Sequence, residues 1–305
     1  MKLFGMVSTR SSVEYTYHAL SSFFRNTPLD SSDSFTLIDN DGSVTDDLLS
    51  GFPQCKRVTN NRPLSFAQNA NSLIREALPR GADLYFLNND VIFTEGWLQP
   101  LAVERPAILS PLCNREVQYA SSVMVTKTSH IANLFVTGVG MSLSEYLGNE
   151  AAFAAIVEAH RKTVTGFLQV YVLPFFCVKI PAVILDAVGQ FDETFGIGGG
   201  EDFDYALRTY LAGFNVEYAL QSFCLHFGGK STWSGAETED EQLERVSKYQ
   251  TVFFEKWGEE LQKLILREDR RVVDDVESVR AHDVSGDLRA VVLSLLGDRQ
   301  IRVKI

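Results

Sequence analysis

The sequence predicts an α/β protein: a Rossmann-like, mostly parallel, doubly wound central sheet flanked by helices, with a C-terminal helical extension. Three observations point there. Short apolar runs alternate with helix-period stretches through the first hundred residues, the pattern of successive βαβ units. Polar residues gather where those runs end, at Asp39-Asn40-Asp41-Gly42-Ser43 and at Asn88-Asn89-Asp90, and open parallel sheets bind ligands at the carboxyl ends of their strands. Further on, Leu243, Val246, Gln250, Phe253, Trp257, Leu261 and Leu264 recur every three or four residues, which predicts a long amphipathic helix.

In order, residues 2–7 read as a first strand. Residues 14–24 follow as a helix with Tyr17, Leu20 and Phe24 at helical spacing. Residues 34–38 are a second strand, 66–78 a helix and 83–87 a third strand. The run 109–125 is mixed. Residues 143–162 read as a helix, 169–178 as a strand and 181–188 as a short helix. The glycine-rich loop 196–200 leads into a helix over 201–211, stopped by Gly213. Residues 216–225 are a further strand, and 272–305 are charged and weakly patterned. A main domain over 1–235 and a helical extension over 236–305 follow from this.

The 305 residues suffice for a sizeable core. Thirty-nine acids against 28 bases leave a net charge of -11, which argues against broad nucleic-acid binding. Four cysteines (Cys55, Cys113, Cys177, Cys224) form no C-x-x-C pair and read as reduced, mostly buried thiols. The most apolar stretch, 164–188, contains Gln169, Pro174, Lys179, Pro181 and Asp186, costly in a bilayer, so it reads as buried core. The first ten residues lack the apolar core and cleavage site of a signal peptide. A cytoplasmic protein, soluble or peripheral at the inner face of a membrane, is expected.

Four places could carry chemistry, and each has a structural alternative. Asp39 to Ser43 could face a ligand or simply cap a turn. Asp90, at the tip of a buried strand, could hold Mg²⁺ or Mn²⁺ bearing a diphosphate, or close a β-turn. Glu201 and Asp202 follow Gly198-Gly199-Gly200 at a helix start. There they could cap the helix, or Asp202, kept ionised by the helix dipole, could serve as a general base. The glycines lack a following lysine-serine and are not a G-x-G-x-x-G, so a phosphate cradle is a poor reading. His226, after an apolar strand, could be a core residue or a ligand for Mn²⁺. Ser8-Thr9-Arg10 could line a nucleotide pocket or begin a loop. His18, His130, His160 and His282 have no comparable setting.

Taken in order, these pieces resemble the family 2 glycosyltransferases of the GT-A fold, particularly the rhamnosyltransferase-like branch. The matching text is Leu37-Ile38-Asp39-Asn40-Asp41-Gly42-Ser43, residues 61–71, Leu84-Tyr85-Phe86-Leu87-Asn88-Asn89-Asp90-Val91, and Trp97-Leu98. It continues with Val188-Gly189-Gln190-Phe191-Asp192-Glu193-Thr194-Phe195, Gly200-Glu201-Asp202-Phe203-Asp204, Leu207-Arg208, Ala212-Gly213, His226-Phe227-Gly228-Gly229 and Lys256-Trp257. The resemblance spans residues 2–258.

It implies a metal-dependent, inverting transfer of a sugar from a UDP-, dTDP- or GDP-linked donor to a glycan, glycolipid or other hydroxyl acceptor. Thr9, Arg10, Asp39, Asn69, Asn88, Asn89 and Asp90 would lie on the nucleotide and donor side. Asp90 and His226 would hold the divalent cation, Asp202 would be the base, and Glu201 would position a substrate. Asn88 departs from the pattern, standing where many relatives carry the first acid of D-x-D. That leaves one strong anionic ligand and favours a metal delivered with the substrate. The alternative is a catalytically silent protein on the same fold that binds nucleotide or sugar. Residues 119–166 are longer than the family's usual link and read equally as an acceptor-shaping lid or as packing at a dimer contact. The acidic C-terminal helix argues for packing or homo-oligomer contact over binding to anionic lipid.

Overall fold

The computed structural model describes residues 1–9, 12–114, 141–230, 237–267 and 288–305. Its centre is one nine-stranded mixed sheet. Strands β1 (Lys2–Ser8), β2 (Ser34–Asp39), β3 (Cys55–Thr59) and β4 (Asp83–Asn88) run parallel in the order β3-β2-β1-β4. Helix α1 (Val13–Asn26) follows β1, the short α2 (Asp46–Ser50) follows β2, and α3 (Phe66–Ala77) follows β3. Both faces of β1, β2 and β4 are covered, so these strands are largely apolar rather than alternating, whereas the edge strand β3 is exposed. Leu84 and Phe86 pack towards α3 with Leu73 and Ile74, while Tyr85 and Leu87 pack towards α1 with Leu20 and Phe23. Gly5 allows α3 to approach closely, since a methyl group there would overlap Leu73. Ser65 and Gln68 form a capping box that fixes where α3 begins.

Beyond β4 the sheet changes direction. β8 (Cys177–Ile180) runs antiparallel to both β4 and β6 (Ala107–Cys113). β9 (Asn215–His226) lies parallel to β6 and carries β5 (Val91–Phe93) and β7 (Phe167–Gln169) antiparallel to it. Helices α4 (Leu143–Tyr146) and α5 (Glu150–Arg161) precede β7. α6 (Ala182–Val188) and α7 (Glu201–Leu211) lie between β8 and β9. α8 (Glu239–Trp257), α9 (Glu259–Ile265) and α10 (Leu288–Leu296) follow.

Several expectations change in detail. The helix expected over 143–162 is two helices, parted by Gly148 at φ 154°. The strand expected over 169–178 is interrupted between β7 and β8, and Pro174, which lacks an amide proton, lies in the gap. β3 escapes sequence reading because four of its five side chains are exposed. The long helix from Leu243 breaks at Gly258, φ 85°, and Leu243 itself faces solvent. Residues 115–140, and 268–287 of the charged tail, lie outside the described residues.

The described part of 237–305 packs into the main core. Phe253, Trp257, Leu261, Leu264, Val291 and Val292 join the cluster that contains α3 and β4. Behind α7, buried Asp204 accepts hydrogen bonds from Arg208 Nε at 2.8 Å and Trp257 Nε1 at 2.9 Å. Lys256 Nζ sits 2.7 Å from both Asp192 and Asp204. The last residue closes this layer, its carbonyl accepting from Gln190 N–H at 2.8 Å. All four cysteines are free thiols. Three of them, distant in sequence, converge: Cys113 and Cys224 pair in register, and buried Cys177 contacts Cys224. No helix among the described residues is long and apolar enough to cross a membrane.

Candidate active site

The carboxyl ends of β1, β2 and β4 open on one side of the sheet. Thr9, Asn40, Asn69 and Asn88 line a cleft there together with Val7, Leu64, Phe66 and Phe86. Its floor is a polar lattice. Asn40 Oδ1 accepts from Asn60 Nδ2 at 2.8 Å, Leu64 N–H at 2.9 Å and Asn69 Nδ2 at 3.1 Å. The pattern singled out Asn69, but Asn60 carried no signal beyond being one more loop asparagine. Asp39 ends β2 and is buried. Its Oδ1 accepts from Ser43 N–H at 3.0 Å, so in this structure it orders the 40–44 turn at the cleft's edge. Arg10 lies outside the described residues.

The next two residues after β4 point different ways. Asn89 is wholly buried, and its Nδ2 donates to Ser12 Oγ at 2.6 Å and Thr16 Oγ1 at 2.8 Å. It ties the strand end to the start of α1. Asp90, equally buried, turns towards β9. Its Oδ2 accepts from Lys230 N–H at 3.1 Å, its carbonyl accepts from Phe227 N–H at 3.0 Å, and Oδ1 lies 3.3 Å from His226 Nε2. Oδ1 has no hydrogen-bond partner among the described residues. Burial pushes the Asp90 carboxyl up, but His226 and the Lys230 amide outweigh it and hold it below its ordinary value. His226 is fixed on the other side by Phe176, whose ring stacks on the imidazole at 4.8 Å and 13°. Its backbone N–H donates to Asn114 Oδ1 at 2.9 Å.

A buried carboxylate oxygen without a bond, facing an imidazole nitrogen, is a donor set that suits Mn²⁺ or Mg²⁺. Among the described residues no group of three or more His, Cys, Asp or Glu side chains is placed to hold a metal ion. Of the described residues these two side chains would hold a cation here, with a bound diphosphate supplying further oxygens.

The other two acids singled out by the sequence stand at the start of α7. Gly199 and Gly200, at φ 117° and 81°, turn the chain into the helix in a way other residues resist. Glu201 is buried and its Oε2 accepts from Gly199 N–H. Asp202 is half-buried, and its Oδ1 accepts from Phe203 N–H at 2.9 Å. Burial raises both acids, and for Glu201 the adjacent Asp202 charge adds to it. The dipole argument predicts a lowered Asp202; desolvation outweighs it and brings the group to about 6. Such an acid is ionised at neutral pH yet far more basic than an ordinary aspartate, the range a general base needs.

One link between the two sides was invisible in the sequence. The Phe175 backbone acts on the Asp202 carboxyl and draws it down, while the next residue, Phe176, stacks on His226 and accepts the Asn88 N–H at 2.7 Å. Two consecutive residues therefore touch the base candidate, the histidine and the donor-side strand end. Both are phenylalanines in an apolar run, which reads as core.

No family model matches the chain, and no curated protein matches it. Solved structures do. GalNAc-T7 with UDP, GalNAc and Mn²⁺ superposes with a TM-score of 0.58 at 13% identity, over 97% of this chain and 54% of that one. The mannosyltransferase PcManGT from Pyrobaculum calidifontis, in complex with GDP-Man and Mn²⁺, gives 0.51 at 10% identity, over 97% of this chain and 72% of that one. The chain thus spans about half the length of the first. The fold is the GT-A fold of glycosyltransferases, a mixed α/β sheet flanked by helices.

Proposed function

We propose that this chain is a divalent-metal-dependent, inverting glycosyltransferase of the family 2, rhamnosyltransferase-like type, acting in the cytoplasm or at the inner face of a membrane. The observation that carries the reading is the Phe175-Phe176 junction. It supports a site with the raised carboxyl of Asp202 on one flank and Asp90 with His226 on the other, because the Phe175 backbone acts on Asp202 and the Phe176 ring stacks on His226.

The donor is a nucleotide sugar whose nucleotide lies along Thr9, the Asp39 turn and Asn88. Asp90 and His226 would hold the cation, which supplies charge neutralisation for the departing diphosphate, typically worth several kcal/mol. Asp202 takes the proton from the acceptor hydroxyl as that oxygen attacks the anomeric carbon, a contribution of about 10²–10⁴ in rate. Attack from the side opposite the diphosphate inverts the anomeric centre. Glu201, tied to Gly199, orients the acceptor.

The test is release of nucleoside diphosphate from a panel of UDP-, dTDP- and GDP-sugars with Mn²⁺. Donor turnover is expected for the native chain and near-complete loss in Asp202→Asn. Asp90→Ala should lose the Mn²⁺-dependent part of donor binding in calorimetry. Donor binding without turnover by the native chain would instead make it a binding protein.

A further inference from the structure

The helices after residue 236 carry no role in the reading above, yet α8 reaches the site. Tyr249 lies across the turn that carries Glu201 and Asp202. A methyl group on Gly199 would stand 2.5 Å from Tyr249 Cδ1, and one on Gly200 3.5 Å from Cδ2. The phenol ring thus lies over two successive residues that have no side chains to keep it away. The contact leads directly to the acids, because the Gly199 amide beneath the ring donates to Glu201 Oε2.

Neighbouring positions on the same face of α8 reinforce it. Arg245, one turn earlier, forms an ion pair with Glu237 at 2.8 Å, and its charge also acts on Glu201. The Lys248 side chain approaches Gly196 at the start of the loop, where a methyl group would meet Cε at 3.2 Å. Both carboxylates act on the Tyr249 hydroxyl, which together with burial sits above its ordinary range.

We propose that α8 forms the acceptor-side wall of the site and that Tyr249 is a positioning residue for the Glu201–Asp202 turn. The proposal rests on the glycosyltransferase reading. It also explains Gly199: a side chain there would displace Tyr249 and detach the wall from the acids.

Two variants and two readouts test it. Tyr249→Ala removes the ring, and Tyr249→Phe keeps it. In the alanine variant kcat should fall about 10- to 100-fold, the scale for a misplaced catalytic group. Affinity for nucleoside diphosphate with Mn²⁺, bound on the other flank, should stay within about twofold, a split that general unfolding would not produce. Tyr249→Phe should restore kcat to within about threefold of native. Independently of any transfer, hydrogen exchange at amides 199–203 should accelerate in Tyr249→Ala and remain native in Tyr249→Phe. An active native chain in which Tyr249→Ala leaves kcat and exchange unchanged overturns the role of Tyr249. So does a parallel fall of donor affinity and kcat. A native chain that turns over no donor overturns the functional reading beneath the proposal, whatever exchange shows.

Discussion

Replacing Asp202 with asparagine should make the protein more stable at pH 8 while removing its activity, and the structure sets the size of the gain. The carboxyl rises from an ordinary 3.8 to about 6 because folding takes it out of water. Each tenfold change in an acid's equilibrium is about 1.4 kcal/mol, so keeping this group ionised costs the folded state at most about 3 kcal/mol, less for the part of the side chain that water still reaches. Asparagine removes that cost but weakens the bond from Phe203 N–H, leaving a net gain of about 1–3 kcal/mol. Between about pH 4 and 6 the folded chain binds more protons at this site than the unfolded one. Stability therefore falls as pH rises through that window, and the full penalty applies above it. Below about pH 4 both states are protonated and the difference between native and variant should vanish. Calorimetric melting at pH 4 and pH 8 measures this, with about 1.5 °C expected per kcal/mol for a chain of 305 residues. A lower Tm for Asp202→Asn at pH 8, or the same offset at both pH values, would refute the claim that Asp202 is a desolvated acid.

Asn89→Ala should cost about 1–3 kcal/mol by removing its amide's two bonds to the Ser12 and Thr16 hydroxyls, which keep their bonds to Thr9 O and Ser12 O. The folded fraction should keep its kcat; a selective loss of kcat at unchanged Tm would instead put Asn89 in the chemistry. Asp204→Asn leaves Arg208, fully buried, facing a neutral partner, and should lower stability by about 3–5 kcal/mol in urea titration. A change below about 1 kcal/mol would mean that Arg208 rests on its carbonyl partners alone. Native protein should hold three thiols (Cys113, Cys177 and Cys224) inaccessible to an aromatic disulfide reagent until unfolded, because all three are buried. Rapid reaction of more than one thiol in the native state would contradict that packing.

The parallel half of the fold was legible because it is covered on both sides. Leu3, Phe4, Leu84, Tyr85, Phe86 and Leu87 must all be apolar, and that leaves a run no helix or exposed strand would carry. The edge strand β3 was not legible, since Lys56, Arg57 and Thr59 face solvent and give no apolar pattern. The β9 register, which sets His226 opposite Val91, depends on pairings made across more than a hundred residues.

The site was legible as residue types and illegible as orientation. Asp90 and Asn89 are neighbours at the same strand end, yet one faces His226 and the other faces α1. Spacing alone cannot separate them. Asp39 was conspicuous as a polar residue after an apolar run, and the structure uses its oxygen to order the turn that follows. Phe175, Phe176 and Tyr249 were hidden for the opposite reason, because aromatic residues in apolar or helical stretches read as core. What distinguishes them is what lies beside them, a carboxylate on which the Phe175 backbone acts or a glycine whose missing side chain makes room.

The central claim is that Asp90 with His226 and Glu201 with Asp202 border a single cleft. Mn²⁺ added with a nucleoside diphosphate to isotopically labelled protein tests it through paramagnetic broadening of amide signals. Signals from 88–90, 226–230 and 199–203 should broaden together, and Asp90→Ala should abolish all three effects. Broadening confined to the first two segments, with 199–203 sharp, would put the carboxylates in separate pockets and contradict the account.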